Sequence, residues 1–196
     1  MITINEKQKI RKKFLEERGH LSEVFVTENS AKIWERLSSL REFREAKTIM
    51  FYAAKENEVR TENMIKESIR MGKRVTVPVM MKERTLSPSL LTDYDAELTA
   101  KRFKILEPKE ECLHFLPIEE IEVIIVPGVV FDRNRSRIGF GKGFYDNFLK
   151  EISSKTCAIG IAYQFQIVDK LPVEETDISI DIIVSENEVI ISPTGI

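Results

Sequence analysis

The stretch VIIVPGVVFDRNRSRIGFGKGFYDNFLK, from Val123 to Lys150, decides how the rest of the chain is interpreted. It opens with the unbroken β-branched run Val123–Val126, which is typical of a strand buried on both faces of a sheet. A Pro-Gly pair ends that strand, and a polar turn leads to a glycine-rich segment. The residues from Phe144 onward favour a helix. This order predicts an α/β protein with a binding loop at the start of a helix.

The glycine-rich segment has the properties of an anion site. Gly139, Gly141 and Gly143 alternate with other residues, so successive backbone N–H groups can point into one concavity. The helix that follows adds partial positive charge at its N-terminus. Arg137 and Lys142 would add full charges, Arg as a planar fork and Lys as a point charge. The segment therefore predicts a site for phosphate.

Asp146 lies about one helical turn beyond the last glycine, where a carboxylate can hold a phosphate-bound magnesium ion. The spacing is not that of a Walker A loop, because no Lys-Ser/Thr pair follows the last glycine, and position 144 is Phe where the dinucleotide fingerprint requires Gly. A tight turn without a ligand is the alternative interpretation. The combination of Arg137, Lys142 and Asp146 favours the anion site.

Length and composition set limits on the class of protein. A chain of 196 residues suits one well-cored domain, 1–196, and 42% hydrophobic with 32% charged residues is typical of a globular protein. The net charge of −2 lacks the basic excess expected of a nucleic-acid binder. We therefore expect no nucleic-acid partner. The chain is expected to be a monomer.

The cysteines and the N-terminus bear on the compartment. Cys112 and Cys157 stand far apart without a CxxC pair, so neither a metal site nor a disulfide framework is indicated. The segment MITINEKQKIRKKF has no apolar core of a signal peptide, and no apolar run approaches the roughly 20 residues of a membrane span. We expect a cytoplasmic protein with no membrane partner.

Strand and helix patterns alternate along the chain. Strands are predicted at Lys47–Ala53, Arg74–Met80, Thr156–Ala162, Ile180–Val184 and Glu188–Ile191. Helices are predicted at Asn5–Arg18, at about Thr27–Leu40, and from a Thr61 cap to Arg70. The strand, helix and strand within 47–80 make a βαβ unit, which is parallel and right-handed. The predicted fold is α/β, with three layers in which helices flank a mostly parallel central sheet.

Several motifs lie in and around the glycine-rich segment: Val126-Pro127-Gly128, Phe131-Asp132, Arg137-Ile138-Gly139, Gly141-x-Gly143 and Tyr145-Asp146. Together they resemble the signature of the 5-formyltetrahydrofolate cyclo-ligase (methenyltetrahydrofolate synthetase) family. Near the N-terminus, Lys7-Gln8-Lys9-Ile10-Arg11 is similar to the family's Lys-x-x-Leu-Arg motif. The sequence departs mildly from the family pattern at Phe140, Phe144 and Asn147. The resemblance runs from about Lys7 to Val184.

The resemblance implies cyclisation of 5-formyltetrahydrofolate to 5,10-methenyltetrahydrofolate. The terminal phosphoryl group of ATP is transferred to the formyl oxygen, the second nitrogen closes the ring, and ADP and phosphate are released. Magnesium is the implied cofactor and ATP the co-substrate, so the implied partners are small-molecule substrates, 5-formyltetrahydrofolate and ATP. Such a transfer depends on positioning and on charge neutralisation more than on a protein nucleophile.

The resemblance also implies residue roles. ATP binding is implied for Lys7, Arg11, Arg137, Ile138, Gly139, Phe140, Gly141, Lys142, Gly143, Phe144 and Tyr145. Substrate binding is implied for Ala53, Glu58, Phe140, Gly141, Lys142, Gly143 and Phe144. Lys142 and Tyr145 are the catalytic candidates, and Asp146 and Asp177 are the metal ligands. Asp181 is the alternative to Asp177, which is favoured because it lies in a loop rather than in an apolar strand.

Simpler alternatives stay open for some of these residues. Lys7 and Arg11 share one row of a helix, and such a row is often a solvated face. A loop residue such as Glu58 is often merely solvated, and Arg60 stands where the family has Asp. For the whole chain, the alternatives are a non-catalytic relative that binds nucleotide or folate, and a sugar-phosphate or acyl-CoA enzyme of similar architecture.

Overall fold

The computed structural model describes residues 4–101, 105–174 and 177–191, without the side chains of residues 4 and 5. The α-helices in this part of the chain are α1 (Ile4–Gly19), α2 (Glu23–Ser39), α3 (Arg41–Glu45), α4 (Glu62–Arg70), α5 (Tyr94–Glu97) and α6 (Phe144–Glu151). The first six strands are β1 (Thr48–Met50), β2 (Arg74–Met80), β3 (Leu86–Leu91), β4 (Leu98–Ala100), β5 (Leu106–Pro108) and β6 (Val123–Val126). The remaining strands are β7 (Val130–Asp132), β8 (Arg137–Ile138), β9 (Cys157–Ile161), β10 (Ile167–Val168), β11 (Ile182–Val184) and β12 (Val189–Ile191). No helix among the described residues is both long and apolar enough to cross a bilayer.

A seven-stranded sheet forms the centre of the fold, in the order β12-β11-β9-β6-β1-β2-β3. The five strands from β11 to β2 are mutually parallel, and the edge strands β12 and β3 are antiparallel to their neighbours. The predicted mostly parallel α/β sheet is therefore confirmed. The βαβ unit made by β1, α4 and β2 is also confirmed.

Successive residues of the central strands pack on opposite faces of this sheet. Ile49 faces the core beneath α2 and α4, whereas its neighbour Met50 faces the core beneath α6. Ile125 and Ile124 on β6 divide between the two cores in the same way. Side chains alternate along a strand, so a strand covered on both faces must be apolar at every position. This requirement explains the continuous β-branched run in the sequence.

The strand predicted at Lys47–Ala53 is shorter in the structure, where β1 ends at Met50. Thr61 holds the loop that follows this strand. The Thr61 hydroxyl donates to the Tyr52 carbonyl at 2.7 Å and accepts from the Ala54 N–H at 3.1 Å. Thr61 therefore precedes α4 as predicted but makes no side-chain cap of that helix. Its hydroxyl fixes the loop that carries Ala53 and Glu58.

The predicted polar turn is confirmed, and it connects the two strands of a small hairpin that was not predicted. Strands β7 and β8 pair antiparallel, and β10 joins β7 on its other side. Asp132 holds the turn of this hairpin, since its Oδ1 accepts from the N–H groups of Asn134 and Ser136 at 2.9 and 2.8 Å. The hairpin delivers Arg137 on β8 to the start of the glycine-rich loop, which then leads into α6.

Candidate active site

Two adjoining pockets meet at the glycine-rich loop. The apolar pocket has a volume of about 260 Å³ and is lined by Tyr52, Ala53, Lys55, Glu58, Pro78, Met80, Leu86, Ile105, Leu106, Glu107, Pro127, Arg137, Tyr145, Asp146 and the loop residues 139–144. The cationic pocket has a volume of about 340 Å³ and is lined by Lys7, Gln8, Arg11, Arg137, Ile138, Gly139, Gly141, Gly143, Asp146, Asn147, Lys150, Glu174 and Asp177. Arg137, Asp146 and the three glycines belong to both.

The glycine loop has a backbone that requires glycine. Gly141 has φ +86° and Gly143 has φ +73°, both in the left-handed region that L side chains disfavour. Gly143 directly precedes α6, so the loop opens onto the N-terminus of that helix. Phe144, at the first position of α6, faces the apolar pocket. The arrangement places the helix N-terminus at the junction of the two pockets, as an anion site requires.

Helix α1 supplies the cations of the cationic pocket. Arg11 Nε donates to the Gly139 carbonyl at 2.7 Å, and the guanidinium carbon would lie 3.0 Å from a Cβ added at Gly141. Lys7 Nζ forms ion pairs with Asp177 and, at 3.4 Å, with Glu174. Both side chains therefore make contacts across the fold rather than decorate a solvated helix face. Lys9, on the same helix, is exposed.

Arg137 and Asp146 form an ion pair in the wall between the pockets. Arg137 Nη2 donates to Asp146 Oδ1 at 2.7 Å, and the Arg137 side chain is only 3% exposed. Burial lowers the pKa of Arg137, which the negative charge of Asp146 opposes. Arginine nevertheless stays protonated in proteins. A permanent cation is thus held at the boundary of the two pockets.

Glu58 is a buried carboxylate in the apolar pocket. Its Oε1 lies 3.7 Å from Arg18 Nη1, and its Oε2 accepts from the Lys55 N–H at 3.0 Å. Burial raises the pKa of Glu58, and the positive charge of Arg18 opposes that rise. Glu58 is therefore an acceptor built into a largely apolar wall, not a solvated loop residue. Arg60, where the family has Asp, points away and pairs with Glu23 on α2.

The aromatic residues of the loop lie on the apolar side. Two cations stand over the Phe140 ring, Lys55 at 4.5 Å and Arg18 at 5.3 Å from its centre. Such contacts connect the glycine loop to α1 and to the loop after β1. The Tyr145 hydroxyl is buried, and burial raises its pKa. Lys142 is exposed at the rim of the apolar pocket.

The two aspartates considered for the second metal position lie in different places. Asp177 lines the cationic pocket together with Asp146. Asp181 is turned into the sheet, where its Oδ2 accepts from the Ala158 N–H at 2.7 Å. No group of three or more His, Cys, Asp or Glu side chains that could hold a metal ion occurs among the described residues. Magnesium commonly uses one or two carboxylates together with phosphate oxygens, and Asp146 and Asp177 fit that requirement.

Comparison with known proteins identifies the family. The model of the 5-formyltetrahydrofolate cyclo-ligase family matches residues 3–186. The chain belongs to the 5-formyltetrahydrofolate cyclo-ligase family. It is 37% identical over 147 residues to the 5-formyltetrahydrofolate cyclo-ligase of Escherichia coli K12, covering 74% of this chain and 80% of the relative. It is 31% identical over 183 residues to the enzyme of that name from Haemophilus influenzae, covering 91% and 97%.

A solved structure agrees with this assignment. The NMR structure of Aquifex aeolicus 5,10-methenyltetrahydrofolate synthetase superimposes with a TM-score of 0.85 at 34% sequence identity. The superposition covers 97% of this chain and 94% of the other. The fold of this cyclo-ligase family member is therefore shared over nearly the whole chain.

Some residues of the site carried no role in the sequence analysis. Three of these residues, Arg18, Tyr52 and Lys55, surround Glu58. The sequence around them does not indicate this position, and Arg18 has the pattern of an ordinary helix end. Glu107 is a second buried carboxylate of the apolar pocket, with Oε1 accepting from the Met80 N–H at 3.3 Å. The available signal for Glu107 was the segment FKILEP at 103–108, which resembles the Gly-Ile-x-Glu-Pro segment of the family.

Proposed function

We propose that this protein cyclises 5-formyltetrahydrofolate to 5,10-methenyltetrahydrofolate, with conversion of ATP to ADP and phosphate. The observation that carries the proposal is the pair of pockets that share one glycine loop and Arg137. One pocket suits phosphates and the other suits a flat, largely apolar ligand. A reaction that transfers a phosphoryl group from ATP to a folate needs such a junction.

The cationic pocket is proposed to hold the ATP phosphates. Lys7, Arg11 and Arg137 would provide charge, while the backbone N–H groups of the loop and the N-terminus of α6 would provide donors. Lys7 and Arg137 are paired with Asp177 and Asp146. These two aspartates would hold magnesium, which when bound would neutralise charge on the phosphates. Ile138 lines the same pocket beside the loop.

The apolar pocket is proposed to hold the folate. Glu58 would accept hydrogen bonds from the pterin donors, and Ala53 leaves space beside it. Phe140, Phe144 and Tyr145 would offer aromatic surface to the ring system. Lys142 would lie beside the transferring phosphoryl group.

The proposed chemistry needs no protein nucleophile. The formyl oxygen attacks the terminal phosphorus, and the bond from phosphorus to the oxygen of ADP breaks. The second folate nitrogen then attacks the formyl carbon and loses its proton, and the bond from that carbon to oxygen breaks as phosphate leaves. The protein's contribution is to align the two substrates and to neutralise charge, which accounts for a site of Gly, Lys, Arg and Asp.

The experiment is to combine purified protein with 5-formyltetrahydrofolate, ATP and magnesium and to follow the near-ultraviolet absorbance of the methenyl product. Product should form only when nucleotide and divalent ion are both present, with one phosphate released per ring closed. Ring closure without nucleotide would refute the phosphoryl-transfer proposal. Binding of both ligands without product would instead indicate a non-catalytic relative, and turnover of a sugar phosphate or acyl-CoA without ATP would indicate the other alternative.

A further inference from the structure

Two buried polar atoms in the site have no hydrogen-bond partner among the described residues: Arg137 Nε and the Tyr145 hydroxyl oxygen. Both residues line the apolar pocket, and Arg137 lines the cationic pocket as well. The Arg137 guanidinium lies 6.0 Å from the centre of the Tyr145 ring. The two unsatisfied atoms therefore belong to neighbouring side chains at the boundary between the pockets.

An unsatisfied buried donor is unfavourable, so such atoms in a folded protein require an explanation. The surrounding contacts hold both side chains in place. Arg137 is fixed by its ion pair with Asp146, and Tyr145, in the first turn of α6, packs against both hydrophobic cores. Neither side chain can turn to solvent without breaking these contacts. A ligand atom that accepts hydrogen bonds is the explanation that fits a pocket wall.

The chemistry of the two groups limits what that ligand atom can be. The Arg137 side chain donates only and remains charged. The Tyr145 hydroxyl stays protonated, because burial raises its pKa and the negative charge of Glu58 acts in the same direction, against the opposing charge of Arg137. A cationic donor beside a neutral O–H donor suits an oxygen atom that carries partial negative charge.

The position of the two groups further limits which ligand atom they can bind. The cationic pocket already offers hydrogen-bond donors to phosphate oxygens, namely Lys7, Arg11 and the glycine loop. Glu58, Glu107 and Asp146, the carboxylates that line the apolar pocket, suit ligand donors rather than a ligand carbonyl. We propose that Arg137 Nε and the Tyr145 hydroxyl form the subsite for the formyl oxygen of the bound folate. This inference rests on the proposed function and adds to it the group that selects and orients the reacting oxygen.

The subsite places the reacting oxygen where the proposed chemistry needs it. An oxygen held by Arg137 and Tyr145 lies at the edge of the apolar pocket that faces the cationic pocket. Two donors on one carbonyl oxygen engage both of its lone pairs and so fix the position and plane of the formyl group before transfer; one of the two hydrogen bonds gives way as that oxygen attacks phosphorus. Orientation of this kind is a major part of catalysis by positioning. No proton is transferred at this subsite, since both groups remain donors throughout.

The test compares two folates that differ at this oxygen. 5-Methyltetrahydrofolate has a substituent on the same nitrogen as 5-formyltetrahydrofolate but no carbonyl oxygen. Calorimetry without nucleotide measures both affinities in the absence of turnover. In Tyr145→Phe, affinity for the formyl folate should fall about three- to tenfold, the effect of one lost hydrogen bond, while affinity for the methyl folate is unchanged. The melting temperature should not fall, because the hydroxyl that is removed has no partner among the described residues.

Tyr52→Phe is the matched control. The Tyr52 hydroxyl lies at the same pocket but already donates to the Val59 carbonyl at 3.0 Å. Its removal should lower stability and leave the ratio of formyl to methyl affinity unchanged. Arg137→Lys keeps the charge but removes the Nε–H group, so it should lower that ratio as Tyr145→Phe does.

The outcomes separate this inference from the proposed function. Equal affinity of the wild type for the two folates, or an unchanged ratio in Tyr145→Phe, would overturn the subsite whatever the turnover assay shows. A lower ratio of formyl-folate to methyl-folate affinity in Tyr145→Phe supports the subsite even if the wild type forms no methenyl product. In that case only the proposed reaction would fail.

Discussion

Glu58 shows how one buried carboxylate can link stability to ligand binding. Its two oxygens are held by Arg18 and by the Lys55 N–H in a wall that excludes water. The ionised form is the stronger acceptor of hydrogen bonds from a ligand, yet burial disfavours that form, and the net effect is a pKa raised from 4.5. The ionised carboxylate should therefore carry a free-energy cost in the free protein, and a ligand with several hydrogen-bond donors should relieve it.

We expect this cost to appear as a pH dependence of stability. Folded Glu58 keeps its proton to higher pH than the unfolded chain does, so its contribution to stability is complete below about pH 4.5 and is lost as the pH rises through its raised pKa. The free energy of unfolding of the wild type, minus that of Glu58→Gln, should fall as the pH rises above about 4.5. Urea unfolding of both proteins over this pH range measures the difference. A difference that grows with pH would mean that attraction to Arg18 outweighs burial.

Asp146 is paired with a cation that cannot lose its charge. In Asp146→Asn an acceptor oxygen remains, but Arg137 loses the carboxylate that compensates it, and we expect a loss of stability on the order of 1–2 kcal/mol. The proposed magnesium role predicts in addition that half-maximal turnover requires roughly tenfold more magnesium. Glu151→Gln is the control, because Glu151 is an exposed carboxylate on the same helix. Urea unfolding and a magnesium titration give the two readouts, and equal magnesium requirements would leave Asp146 with a structural role alone.

Helix α1 is the element whose role differs most between a scaffold and a binding surface. One row of this helix faces the cationic pocket through Lys7 and Arg11. Lys9 and Lys12 on the same helix are exposed. The helix thus offers two pairs of cations in nearly identical sequence settings, and they differ only in what they face.

Replacing Lys7 and Arg11 together by Gln should weaken ATP binding. Each charge-assisted contact to a phosphate is worth on the order of 1.5–3 kcal/mol, so the double variant should bind ATP at least tenfold more weakly. Replacing Lys9 and Lys12 by Gln makes the same change in net charge on the exposed side and should leave ATP affinity within about twofold of wild type, since exposed charges are screened. Calorimetric titration with ATP and thermal melting compare the three proteins. Wild-type affinity in a folded Lys7, Arg11 double variant would reduce α1 to a scaffold.

The elements could be predicted from the sequence where the determining signal is local. Strand β2 has the predicted bounds Arg74–Met80, because turn residues and alternation mark both of its ends. The hairpin of β7 and β8 was missed, because its strands are only three and two residues long, too short for a periodic pattern. The early end of β1 was missed for another reason: the loop that follows it is held by Thr61, which lies outside a short window around the strand.

The residues of the candidate site also divide into those with a local sequence signal and those without one. The glycine loop and its neighbouring charges form one continuous stretch, so their chemistry could be read from spacing alone. The contact of Lys7 with Asp177 joins residues 170 positions apart, and that of Arg11 with Gly139 joins residues 128 apart. No pattern in a short window encodes such pairs. Family resemblance placed these residues in one site, whereas the pairing of Arg18 with Glu58 had no signal of either kind.

Contacts across the whole chain bear on how the protein unfolds. Helix α1 is held to the last third of the chain through Asp177 and Gly139, and its C-terminal end is held by Asn57, whose Nδ2 donates to the carbonyls of Arg18 and Leu21 at 3.0 and 3.2 Å. The core beneath α2 and α4 combines residues of both halves of the sequence, from Val26 to Val184. Neither half of the chain can therefore keep its buried surface without the other.

We therefore predict that the chain behaves as one domain that unfolds in a single cooperative transition. The calorimetric enthalpy should equal the van't Hoff enthalpy, and for this length it should be roughly 140 kcal/mol near 60 °C. Fluorescence of Trp34, which packs edge-on against Phe43, should change together with far-ultraviolet circular dichroism. The midpoint should not depend on protein concentration if the chain is a monomer. Two separated transitions, or a fluorescence change that precedes loss of helix, would show that the part of the fold around α2 is stable or unstable independently of the rest.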